Sequence, residues 1–103
     1  MRETITLDAY NGFVDKMNFV PQTREYLAVA LGGEAGEVLN EVKKEMRTTR
    51  PHGDRRNNIL LELGDTLYYL TALGKFYGYT LEDIVEANIA KLEARRIETG
   101  VPA

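Results

Sequence analysis

Four carboxylates carry the chemistry this chain is equipped for. Glu34 and Glu37 stand in EAGE, Glu62 and Asp65 in ELGD, with twenty-four residues between the pairs. Each pair is spaced i, i+3, so on a helix its two members are surface neighbours. The pairs are mirror-related about a point near Thr49–Arg50. If two helices fold back on each other there, Glu34 lies level with Asp65, and Glu37 with Glu62. Four acids at one height repel and raise one another's pKa values. A hard divalent cation removes that conflict. Oxygen donors alone, with no cysteine and no helical histidine, point to Mg²⁺, with Mn²⁺ able to substitute, rather than to zinc.

The ordinary reading of acids on a helix is a solvated face, often paired with a base at i+3 or i+4. Glu41 has Lys44 at that spacing, so its place is on the ordinary face. Glu34, Glu37, Glu62 and Asp65 have no basic residue within four positions downstream. Glu62 shares a helical stripe with Tyr69 and Leu73, and Glu34 shares one with Leu27, Leu31 and Val38. Carboxylates on core-facing stripes are expensive unless paired or bound to metal. Gly36 and Gly64 each precede the second acid of a pair. A helical glycine costs about 1 kcal/mol relative to alanine, so two at one level suggest close helix approach or room for a ligand.

A basic row lies further along. Asn88, Lys91 and Arg95 recur at i, i+3 and i+7 and continue a stripe that begins with Leu81 and Ile84. Beside an acidic metal site such a row makes sense as a phosphate clamp, because cations and metal together neutralise a polyphosphate. Other residues read more plainly. His52 lies in a Pro/Gly turn and reads as an exposed loop residue. Arg50, Arg55 and Arg56 could reach a triphosphate tail or form a solvated loop. Tyr10, Phe13 and Phe19 could stack on a base, though core packing is the simpler reading. Met17, Met46 and the Tyr68–Tyr69 pair read as core or interface. There is no nucleophilic triad, P-loop or Rossmann fingerprint, and no E-x-x-H of a ferritin-like di-iron site.

The elements that must position these residues are helices. Leu7, Tyr10, Val14 and Met17 share one face of a first helix over about 6–17, capped by Thr6 and followed by Pro21. Asn11-Gly12 in its middle is a turn signal. A second helix runs from near Gln22 to about Arg47, roughly 39 Å long. Its stretch from Tyr26 to Leu31 is apolar nearly all round, so one hairpin cannot bury it and an oligomer interface is expected. Gly32-Gly33 suggests a kink or a close approach. The connection TTRPHGDRR contains Pro51 and Gly53. A third helix opens near Asp54 and ends at Gly78, and a fourth runs from Thr80, where T-x-x-D suggests a capping box, to about Glu98. The expected fold is all-α: an antiparallel four-helix arrangement around a helical hairpin over 22–77, assembling into an oligomeric bundle.

Bulk properties agree. The 103 residues, 44% apolar and 28% charged, make one globular domain over 1–103. A net charge of −3 argues against a nucleic-acid or anionic-membrane partner. The absence of cysteine excludes disulfides and thiolate chemistry. No apolar run fits a signal peptide or a membrane span, so a cytoplasmic location is expected.

On these residues the chain resembles the MazG-type nucleotide pyrophosphohydrolases of the all-α NTP pyrophosphatase group. Their signature is E-x-x-E, a spacer, then E-x-x-D, matched here by Glu34, Glu37, Glu62 and Asp65. The segment NIAKLEARR resembles the family's fourth helix through Asn88, Lys91 and Arg95. The likeness covers roughly residues 22–98. It implies hydrolysis of a nucleoside triphosphate between the α and β phosphates, giving a monophosphate and pyrophosphate. It also implies Mg²⁺ on the carboxylate quartet and assembly as a homodimer or a homotetramer made of two dimers. Rival readings are a related pyrophosphatase acting on dUTP, dCTP or phosphoribosyl-ATP, and a non-catalytic helical oligomerisation module.

Overall fold

The computed structural model describes residues 3–47 and 55–100. These form four α-helices, α1 (Leu7–Met17), α2 (Arg24–Glu45), α3 (Arg56–Phe76) and α4 (Leu81–Thr99), and no strand among the described residues. Their ends follow from local chemistry. Thr6 and Thr23 each accept a backbone N–H of the first turn, from Ala9 and Tyr26. Thr80 and Asp83 form a reciprocal capping box. Such caps satisfy donors that the helix itself leaves unpaired. α3 ends where Gly78 turns to φ +83, and α4 where Gly100 turns to φ +73, a conformation glycine adopts without a Cβ penalty.

Asn11-Gly12 does not break α1. The Asn11 carboxamide oxygen accepts the Leu81 N–H at 3.2 Å, so a mid-helix residue caps the start of α4. Nor does Gly32-Gly33 interrupt α2, which runs unbroken from Arg24 to Glu45. The expected start of α3 near Asp54 lies outside the described residues.

α2 and α3 pack along their lengths and form the centre. Their contacts run in reversed order. Glu41 meets Arg55, Glu34 meets Glu62 and Asp65, and Tyr26 and Tyr69 line one groove. Between them α2 presents Leu27, Leu31, Glu34, Val38 and Glu41, spaced i, i+4, i+7, i+11 and i+14, the stripe a helix turns toward one neighbour. At one end Val14, Leu27 and Ala72 form the core, with Tyr10, Val20, Tyr68, Tyr69 and Leu73 packed around them. Leu27 is only 1% exposed, a burial worth about 1.5–3 kcal/mol. Of the expected α1 stripe only Val14 is buried; Leu7 and Met17 remain exposed. Lys75 of α3 pairs with Asp15 and ties α1 to the hairpin.

Glu41 corrects the sequence reading. It is buried, at 8% exposure, rather than on a solvated face. Its carboxylate holds Lys44 at 3.4 Å, as the spacing suggests, and also Arg55 at 3.5 Å across the hairpin. The Glu41–Arg55 contact is one of opposed charges without hydrogen-bond geometry.

α4 packs on α1 and α3 and makes no helix contact with α2. Leu81 is buried and Ile84 and Val85 are half-buried, whereas nearly every residue from Glu86 to Gly100 is exposed. The radius of gyration is 16.8 Å, well above the roughly 13 Å of a compact chain of 100 residues.

Candidate functional site

The hairpin brings Glu34 of α2 together with Glu62 and Asp65 of α3. One carboxylate oxygen from each lies within 4.8 Å of the others. Glu34 and Glu62 are half-buried and Asp65 is exposed. Glu37 stands outside this group and is exposed, although it is near enough to act on Glu34 electrostatically. The reason is helical rotation. Glu34 sits on the stripe facing α3, and three residues later the side chain has swung to the shoulder. Glu62, expected level with Glu37, instead meets Glu34.

Burial pushes the Glu34 carboxyl above its usual range. The charges of Asp65 and Glu62, a hydrogen bond with Glu62 and the charge of Glu37 push the same way. Three oxygen donors, mutually repelling and without a basic partner among the described residues, fit a hard divalent cation. Close helix approach does not explain the glycines: a Cβ at Gly36 or Gly64 would meet nothing within 4 Å. Open space lies beside the acids.

Part of that space is a cavity of about 590 Å³. Aromatic and apolar side chains line it, among them Tyr10, Phe13, Met17 and Phe19 from the N-terminal segment and Tyr68 from α3. Glu34 and Asp65 belong to the same wall. Phe19 packs on Tyr68 with ring centroids 5.7 Å apart, and Tyr10 on Phe13 at 6.1 Å. Burial, then the neighbouring Tyr68 and the Asp65 charge, hold the Tyr10 hydroxyl above its ordinary pKa. The simpler core reading of these aromatics fails for Phe13 and Phe19, which are 49% and 65% exposed. Exposed large aromatics at the mouth of an apolar cavity mark a place where a flat apolar group can bind.

The basic row does not line the cavities that Glu34 and Asp65 line. Asn88, Lys91 and Arg95 are exposed on α4, which does not touch α2. Arg55 is engaged with Glu41. Arg56 lies at the start of α3, while Arg50 and His52 fall outside the described residues.

A family model described as the MazG nucleotide pyrophosphohydrolase domain matches residues 22–98. The chain belongs to this family. The matched segment of the MazG domain takes in α2, α3 and nearly all of α4, and leaves α1 outside. The chain is also similar to the gene 37 protein of Mycobacterium phage L5. The two are 33% identical over 73 residues, which is 69% of this chain and 64% of that protein. The chain thus spans less than two thirds of the relative's length. No solved structure matches it. No helix among the described residues is long and apolar enough to cross a membrane.

The matched segment takes in all four acids, Glu34, Glu37, Glu62 and Asp65. The aromatic wall lies partly outside the matched segment. Its one signal in the sequence was the density of aromatics over 10–19, where a lining residue and a packing residue look alike.

Proposed function

We propose that this MazG-domain chain is a Mg²⁺-dependent nucleoside triphosphate pyrophosphohydrolase. It cuts the α–β phosphoanhydride of (d)NTPs and releases a (d)NMP and pyrophosphate. One observation carries the reading: Glu34 and Asp65 belong both to the three-acid cluster and to the wall of the aromatic cavity. A nucleotide has the matching halves, a flat base for the aromatic wall and an anionic tail for a metal-loaded acid cluster.

In this reading Glu34, Glu62 and Asp65 hold the cation and Glu37 joins them as a fourth ligand. Bound there, Mg²⁺ supplies neutralisation of phosphate oxygens and a water of lowered pKa. Either Glu37 or Glu34, instead of binding the cation, would accept the proton of the water that attacks in line at phosphorus. Tyr10, Phe13 and Phe19 hold the base and exclude water around it. Asn88 orients the substrate, and Lys91 and Arg95 stabilise the charge that gathers on departing pyrophosphate. The chain works in the cytoplasm, in an antiparallel four-helix arrangement assembled as a homodimer or a homotetramer of two dimers. Exposed Val29 and Leu39 on α2, and Leu60, Leu63 and Leu67 on α3, supply the apolar surface for that assembly.

The test is a panel of the common NTPs and dNTPs with Mg²⁺, extended to phosphoribosyl-ATP, with every product identified. Pyrophosphate with a monophosphate is the expected pair. Absence of pyrophosphate from every substrate overturns the reading, and orthophosphate with a diphosphate moves the cut to the β–γ bond.

A further inference from the structure

α1 supplies Tyr10, Phe13 and Met17 to the aromatic wall and lies outside the segment that the MazG model matches. At 100° per residue these three fall within an arc of about 60°. Val14, next round the helix, enters the core. Asn11 and Asp15 follow, one turn apart on the side away from the wall. Both reach the corner where α3 passes to α4. The Asn11 carboxamide oxygen accepts the Leu81 N–H at 3.2 Å, and the Asp15 carboxylate pairs with the Lys75 ammonium. One helix thus presents the cavity wall on one side and two polar pegs on another.

The corner is a firm place to be held. Thr80 and Asp83 cap each other's backbone, and Leu81 is 4% exposed. A Cβ at Gly74 would stand 2.5 Å from Ile84 Cδ1, so α4 sits hard against α3 there. The two pegs are unequal. The Asp15 side chain is more than half exposed, and an exposed ion pair holds little. The Leu81 N–H is one of the donors that a helix start leaves unpaired, and so buried a residue leaves little room for water to replace Asn11. Losing the acceptor strands a donor away from water, which is the costlier kind of loss. The bond also accounts for an asparagine in mid-helix, where its propensity is poor.

We propose that Asn11 is a positioning residue for the base: its bond to Leu81 fixes the rotation of α1, and with it the place of Tyr10, Phe13 and Met17 beside Glu34 and Asp65. Asn11 lines neither the aromatic cavity nor the acid cluster, so it acts through α1. When α1 is docked only part of the time, the apparent dissociation constant of a ligand held by the wall rises in inverse proportion to the docked fraction. A ligand held by the acid cluster alone is unaffected. This rests on the pyrophosphohydrolase reading above, in which the base occupies the aromatic wall.

The test compares the wild-type chain with Asn11→Ala and with Asn11→Asp, which keeps an acceptor oxygen at the same reach. Calorimetry with Mg²⁺ measures the affinity of each for two probes. One is an uncleavable α,β-methylene nucleoside triphosphate, which has a base and an anionic tail. The other is inorganic tripolyphosphate, which has the tail alone. Asn11→Ala should bind the nucleotide about three- to ten-fold more weakly and tripolyphosphate as the wild type does. Asn11→Asp should stay within about two-fold of the wild type for both. Unchanged nucleotide affinity in Asn11→Ala overturns the proposal. An equal loss for tripolyphosphate overturns it too, as does a loss in Asn11→Asp as large as that in Asn11→Ala. Amide hydrogen exchange gives a readout independent of binding. The amides of α1 should open faster in Asn11→Ala while those of α2 and α3 keep their rates. Faster opening of all the helices would make Asn11 a residue of the fold at large and sink the positioning role. Proteins that show the expected differences while the wild type releases no pyrophosphate from any triphosphate leave the positioning role standing and remove the activity.

Discussion

Glu34 on α2 and Glu62 on α3 each turn a carboxylate oxygen to within 4.8 Å of the other, close enough for the charge of one to oppose ionisation of the other. Asp65 and Glu37 add their charges to the same place. Burial, and then these charges, hold the Glu34 carboxyl above the range of an exposed glutamate.

The pH dependence of stability follows from that relationship. A carboxyl whose pKa is raised by folding binds more protons folded than unfolded, so stability falls as pH rises from the ordinary glutamate value through the raised one. The metal-free protein should therefore gain melting temperature as pH is lowered from neutrality toward the carboxylate range. Glu34→Gln should flatten that rise. Melting curves across pH in chelator check it, and an equal rise in the variant would place the effect elsewhere.

Metal should act against the same repulsion. Mg²⁺ or Mn²⁺ binding only the folded chain at 100 times its Kd stabilises by about 2.7 kcal/mol, a rise of several degrees or more in Tm. Glu62→Gln and Asp65→Asn should lose most of that rise while keeping their helicity. Without metal they should melt no lower than the wild type, since each removes a repelling charge. A metal-dependent shift in both variants equal to the wild type's would deny these residues the role of ligands.

Glu41 and Arg55 make a contrast with the acid cluster. Truncating one partner of this largely buried contact leaves the other poorly compensated, at about 1–3 kcal/mol. Glu41→Ala should lower the melting temperature, yet at a temperature where the protein is fully folded its turnover should stay near wild type. Loss of turnover without loss of stability would move Glu41 into the site.

Phe19 tests the cavity. It is 65% exposed and rests on Tyr68, so Phe19→Ala should barely alter stability. Stacking of a base on an aromatic side chain is worth about 1–3 kcal/mol. The variant's KM for its best nucleotide should therefore rise by about 5- to 160-fold, with kcat changed far less. An unchanged KM would show that the base lies elsewhere.

Much of the fold is legible in the residues because its signals are local. Thr6, Thr23 and Thr80 cap the helices they precede, and Gly78 and Gly100 take the left-handed turn that ends one. The mirror spacing of the acids reads correctly for Glu34 and Asp65, since a hairpin conserves level. It misreads Glu37, since level says nothing of rotation about the helix axis. Glu41 misleads in another way: its local partner Lys44 hides the tertiary partner Arg55. Tyr10, Phe13 and Phe19 read both as base-stacking and as packing residues, because a hydrophobic stripe fits a cavity lining as well as a core. Where α4 leads is the least legible, because its inward face continues past the edge of its own chain.

The most direct measurement is phosphorus NMR of the wild-type chain and of Asp65→Asn, each with the same nucleoside triphosphate and Mg²⁺. The wild type should turn the triphosphate into nucleoside monophosphate and pyrophosphate, and the variant should be slower by on the order of 100-fold or more. Equal rates in the two proteins, or orthophosphate and diphosphate from the wild type, would contradict a pyrophosphohydrolase site built on Glu34, Glu62 and Asp65.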